Sequence, residues 1–194
     1  MHGKLGEKFL PLVYVLMPGK KAVYYIELLT ALQSVIGSDS VNCRRVIMDF
    51  EKSSINAFQQ VFPTVRPLLC FFHFAQSALR LLTNKFRMKN KYLSNKDFRG
   101  AARMVTMLAF VPLGELEKVI EALYVYYSVN YPMLLRLLWS VENTYIGYEV
   151  RDGRKDPRFK PDQWNHFDNV INGLPITNNS KEGSIHCNRI HPIS

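Results

Sequence analysis

Two short apolar runs, "RVIMDF" and "PLLCFF", flank a stretch with helical spacing, and this pairing constrains the fold more than any other feature of the chain. Consecutive apolar residues without alternation mark a strand buried on both faces, as in a parallel sheet. Parallel strands cannot be joined by a tight turn, so the chain between them must cross back over the sheet, usually as a helix. Ile55, Phe58 and Phe62 share one side of the intervening stretch, and Pro63 closes it. The spacing therefore predicts strand 45–50, helix 54–62 and strand 66–72. Upstream, "FLPLVYVLM" (9–17) reads as a further strand that Pro18-Gly19 ends. Ala22, Ile26, Leu29, Leu32 and Ile36 give residues 21–36 one apolar helical face, with Gly37 as the stop. The expected class is α/β.

After His73 the character changes. "DFRGAARMVTMLAF", "LGELEKVIEALYVYY" and "PMLLRLLWSVENTYIG" each carry helical spacing, with breaks at Asn95-Lys96, Pro112, Pro132 and Gly147. Leu134, Leu135, Leu137, Leu138 and Trp139 leave the third apolar on most sides, so it is expected largely buried. No strand candidate of comparable strength occurs here. "RDGRKDPRFKPDQ" (151–163) reads as a loop, "WNHFDNVING" as a short helix with a glycine stop. A last helix would be capped by Asn178, Asn179 or Ser180. The 194 residues thus read as a single domain, 1–194. Its α/β part spans 9–73, a mainly helical part with a basic loop spans 74–163, and C-terminal helices span 164–194.

Charge narrows the partners. Twenty-five Lys and Arg against 16 Asp and Glu give a net charge of +9. That balance favours a polyanion, nucleic acid before membrane. No apolar run reaches the roughly 20 residues that span a bilayer. The three cysteines, Cys43, Cys70 and Cys187, are too few and odd in number for a disulfide framework and fit a reducing compartment.

Two acids could carry chemistry. Asp49 falls at the carboxyl end of a buried strand, where α/β folds keep their sites. Glu182 lies in the first turn of the last expected helix, sharing a face with His186 and Arg189. Carboxylates from separate elements are what divalent hard cations require; equally, Glu182 is an acid of the kind a helix N-terminus favours. Lys85, Arg87, Lys89, Lys91, Lys96, Arg99 and Arg103 crowd residues 84–103 among Phe86, Tyr92 and Phe98. Such a run suits phosphate contact with base stacking, or else a solvated helix face. Arg151, Arg154, Lys155, Arg158 and Lys160 form a second cluster in the expected loop, a candidate mobile segment facing DNA.

The blocks "FLPLVYVLMPGKKAVYYIELLTAL", "VIMDFEKSSINAFQQVFPTVRPLLCFFH" and "WNHFDNVINGLPITNNSKEGSIH", in this order, resemble the transposase domain of Mutator-like elements, the MULE group of eukaryotic DNA transposases. The resemblance implies a ribonuclease-H-like fold whose sheet is interrupted by a mainly helical insertion before the last acidic helix. It implies nuclear localisation, DNA as partner, and an Asp-Asp-Glu triad holding Mg2+ or Mn2+ for phosphodiester hydrolysis and strand transfer. Carried over, the second Asp is Asp49 and the Glu is Glu182. The first Asp belongs to a strand with a motif like H-x-D-x-T, which the sequence lacks; Glu7 and Glu27 do not substitute. The expectation is a partial ribonuclease-H-like fold, N-terminally truncated and inactive as given, or else a non-enzymatic, sequence-independent DNA-binding relic or domesticated module. A sheet without its opening strands is further expected to self-associate through apolar surface around 9–17. Cys70-x-x-His73 also belongs to the family pattern. It could pair with Cys187-x-x-x-His191 around Zn2+, order the metal shell, or serve packing alone.

Overall fold

The computed structural model describes residues 2–5, 8–11, 13–36, 45–151 and 153–177. These fall into two compact units, the first carrying residues up to Cys70 and the second running from Phe71 to Ile176. Among the described residues the chain is mostly helical, with three separate two-stranded sheets.

The first unit opens on an antiparallel hairpin, β1 (His2–Leu5) with β2 (Lys8–Pro11), in which His2 faces Pro11 and Leu5 faces Lys8. The strand expected over 9–17 therefore stops at Pro11. Proline has no N–H to give a ladder, and residues 13–17 adopt no regular structure. Helix α1 (Ala22–Ile36) follows, then β3 (Arg45–Met48), α2 (Lys52–Val61) and β4 (Arg66–Leu69). β3 and β4 pair in parallel, Arg45 with Arg66 through to Met48 with Leu69, and α2 is the crossover. Leu29, Val46, Ala57, Phe58, Phe62 and Val65 make one buried cluster, so α1, α2 and β3 share a core. The run "PLLCFF" is not strand throughout. Leu69 ends β4, the Cys70 N–H still reaches the Met48 carbonyl at 2.8 Å, and Phe71 begins a helix.

In the second unit, α3 (Phe71–Arg80) runs into a π-helical turn at Leu81–Lys85, followed by α4 (Lys89–Ser94) and α5 (Lys96–Met107). Asn95 separates the last two as the sequence predicts: its side chain caps α5 by accepting from the Phe98 N–H at 2.8 Å. Next come α6 (Leu116–Asn130) and α7 (Leu135–Tyr145). Leu134, Leu137, Leu138, Val141 and Tyr145 are buried, but Trp139 is 56 % exposed. Burial of α7 is thus confined to one stripe, correcting the expectation for Trp139. A second hairpin, β5 (Tyr148–Val150) with β6 (Gly153–Lys155), carries its second strand into the stretch read as loop, in which α8 (Pro161–Trp164) also begins, and α9 (Phe167–Ile171) follows. Gly147 is obligatory before β5. Its φ is +82°, and a Cβ there would sit 2.5 Å from the Lys155 carbonyl oxygen.

Rings hold this unit's centre. Trp164 stacks on Phe74 with centroids 5.0 Å apart, Tyr145 meets Phe74 edge-on at 4.9 Å, and the Trp164 Nε1–H donates to the Tyr145 carbonyl at 2.7 Å. No helix among the described residues is long and apolar enough to cross a membrane.

Candidate metal and nucleic-acid site

β3 delivers Asp49 one residue past its last paired position, and the carboxylate is exposed there. The turn that follows is tight: the Glu51 N–H donates to the Asp49 carbonyl at 2.8 Å, an i to i+2 closure. The Glu51 carbonyl then accepts from the Ile55 N–H at 3.0 Å and from Ser54 Oγ at 2.9 Å, which starts α2. Asp49 is thereby set between a fixed strand end and a fixed helix start.

Glu51 itself occupies the N-cap of α2, yet its side chain makes no cap hydrogen bond. Its carboxylate turns instead to α1. Tyr25 donates to Glu51 Oε1 at 2.9 Å, and Lys20 Nζ lies 3.5 Å from Glu51 Oε2. The Tyr25 phenol is pushed up to about 12, first by burial, then by the hydrogen bond and charge of Glu51, with the charge of Asp49 adding to it. Asp49, Glu51 and Tyr25 therefore form one electrostatic group. The sequence pointed to Asp49 alone; the signal for Glu51 was the D-F-E spacing, while Tyr25, 26 residues away, has no local signature.

The other expected ligands divide. Glu182, His186, Cys187 and His191 lie outside the described residues, as do Cys43, Gly37 and the cap candidates Asn178, Asn179 and Ser180. Cys70 is buried and forms no disulfide, closing the first unit; His73 sits in the first turn of α3 in the second. Among the described residues no group of three or more His, Cys, Asp or Glu is placed to hold a metal.

The basic run 84–103 is partly committed to the fold. Arg99 is half-buried, and its Nη1 donates to the carbonyls of Tyr92 and Leu93 at 3.2 and 3.1 Å, tying off the end of α4. Lys91 Nζ lies over the Phe98 ring at 5.0 Å and against Met133 Sδ at 3.2 Å. Phe98 is fully buried, so it cannot stack on a base as expected. Lys85, Arg87 and Lys89 are exposed around the elbow between α3 and α4. There Arg87 takes a positive φ of 56°, the one non-glycine residue to do so among those described. In the second cluster Arg154 is on β6 opposite Glu149, Lys155 reaches the Tyr148 hydroxyl at 3.3 Å, and Arg158 lies over the Phe159 ring at 5.3 Å. Part of the expected loop, Gly153–Lys155, is thus the second strand of a hairpin, and Lys155 and Arg158 are exposed.

Residues 3–77 match the family model described as the MULE transposase domain. No curated protein and no solved structure matches the chain.

Proposed function

We propose that this chain is a fragment of a DDE-type DNA transposase, with Asp49 as one carboxylate of the divalent-metal pair that serves hydrolysis and strand transfer in the intact family and Glu182 as a second. The observation that carries this reading is the placement of Asp49: an exposed carboxylate directly after β3, in a parallel strand–helix–strand unit, inside the stretch that matches the MULE model. A ribonuclease-H-like sheet is the larger frame to which β3, α2 and β4 would belong, and the nucleus the compartment. A carboxylate oxygen is the donor type that Mg2+ and Mn2+ take, so Asp49 fits such an ion in kind. Zn2+ at Cys70 and His73 is the weaker alternative, because Cys70 is buried in the core. When bound, divalent ions lower the pKa of an attacking water and stabilise the leaving oxygen.

The chain's own residues then have separate tasks. Asp49 anchors the ion at the strand end. Lys85, Arg87, Lys89, Lys155 and Arg158 hold backbone phosphates, with Lys91, Arg99 and Arg154 adding to the positive charge. No H-x-D-x-T acid occurs in the sequence, so DNA binding without plasmid cleavage is the activity these residues support.

Duplex affinity with and without Mn2+ tests this reading. Binding should be indifferent to base sequence and weaken steeply with salt. Mn2+ should strengthen it for the unaltered chain and not for Asp49→Asn. An equal Mn2+ effect on both would remove Asp49 from the metal site and leave a non-enzymatic DNA-binding module.

A further inference from the structure

We propose that Tyr25, acting through its hydrogen bond to Glu51, is a positioning residue that holds Asp49 in place for a divalent cation. The inference rests on the metal role of Asp49 proposed above. Three observations carry it. An acid at a helix N-cap ordinarily bonds the helix's own N–H groups, but Glu51 makes no such bond and turns to Tyr25 on another helix. Glu51 is tied by its backbone to Asp49 at 2.8 Å, so whatever fixes Glu51 fixes the turn that aims the Asp49 carboxylate. Finally, the Tyr25 ring packs against the cluster of Leu29, Val46 and Phe58, which sets where its hydroxyl points. Lys20 is the lesser partner. Its side chain is 81 % exposed, and exposed ion pairs of this kind contribute little.

The arrangement makes Glu51 a strut and leaves Asp49 to face the ion. Partners that orient a ligand in this way typically change metal affinity by about 10–100-fold when removed. Tyr25→Phe is the clean substitution, because it deletes one hydroxyl and leaves every charge near neutral pH unchanged.

Mn2+ binding to the full chain, read by the loss of free-ion electron paramagnetic resonance signal, is the test, with melting temperature recorded alongside. Asp49→Asn should abolish the site. Tyr25→Phe should weaken Mn2+ about tenfold while melting cooperatively; Glu51→Gln, which gives up the carboxylate that Lys20 and Tyr25 share, should weaken it at least as much. If Asp49→Asn leaves Mn2+ binding intact, the metal reading fails and the positioning role with it. If Asp49→Asn abolishes binding but Tyr25→Phe keeps or tightens it, only the positioning role is overturned, and Glu51 released from Tyr25 is then itself a ligand.

Discussion

Phe58 in the first unit and Phe74 in the second are both buried, yet they hold different kinds of structure. Phe58 belongs to a small aliphatic and aromatic cluster that joins two helices to one strand of a two-stranded ladder. Phe74 lies between Trp164 and Tyr145 in a ring stack that draws the two ends of the second unit together, 90 residues apart in sequence. The first unit holds Asp49 and most of the stretch that matches the transposase family; the second holds the exposed cations of both basic clusters. Packing depth and candidate chemistry are therefore divided between the units, and a substitution in one should leave the other's property intact.

The largest effect expected is from Trp164→Ala. It removes a fully buried ring, its stack on Phe74 and the donor to the Tyr145 carbonyl, a loss of about 3–5 kcal/mol. Denaturant melts followed by circular dichroism should show the helical signal losing that stability, while Mn2+ binding through Asp49 persists under native conditions. Loss of both together would mean that the units fold as one.

Next in size is the DNA contact. Replacing Lys85, Arg87 and Lys89 by Gln should flatten the plot of log affinity against log salt by about 0.9 for each phosphate contact removed. The same variant should keep its Mn2+ affinity. An unchanged salt slope would take the elbow between α3 and α4 out of the binding surface.

Alkali separates the units more finely. Tyr25 is pushed up to about 12 from an ordinary 10.0, and burial pushes Tyr127 higher still, its hydroxyl donating to the Ala101 carbonyl at 2.7 Å. Both phenols hold their protons more tightly in the fold than in the open chain. The stability they contribute is complete below pH about 10 and is lost as pH rises through the folded-state values. Absorbance at 295 nm should show Tyr25 ionising near 12 and Tyr127 only with unfolding of its unit. Tyr127→Phe, which removes the hydroxyl's bond to the Ala101 carbonyl, should cost about 0.5–1.5 kcal/mol. Early ionisation of Tyr127 would show its burial to be incomplete.

The two units were also unequally legible. The strand–helix–strand order around Asp49 was readable because continuous apolar runs, a helical stripe and Pro63 all agreed, and the parallel pairing of β3 with β4 followed. Its edges were not: Phe71 and Phe72 extend the apolar run, yet periodicity cannot tell a short buried strand from the start of a helix. In the second unit Asn95, Pro112, Pro132 and Gly147 marked the breaks correctly, each for a local reason. The β5–β6 hairpin was missed because half of its strand residues are charged, although Asp152-Gly153 was the available turn signal. Trp139 was misplaced because composition says a helix is apolar without saying which side finds a partner. The Tyr25–Glu51 contact was beyond sequence, since only the packing of α1 against α2 creates it.

The smallest expected change in stability comes from the segment between β2 and α1. Tyr14 is 84 % exposed and Leu16 fully so, in a stretch that the sequence offered as a strand. Once Pro11 ends the ladder, neither side chain contributes burial to the first unit, so Tyr14→Ser with Leu16→Ser should alter the melt by no more than about 0.5 kcal/mol. Association is where the pair should matter. Adjacent exposed apolar side chains beside backbone outside any ladder are a ready docking strip for a second copy. Light scattering should show the unaltered chain associating as concentration rises and the double variant remaining smaller. A clear drop in stability instead would mean that this segment is packed within the first unit, which would carry its apolar core beyond the cluster around Phe58 and bring its packing closer to that of the second.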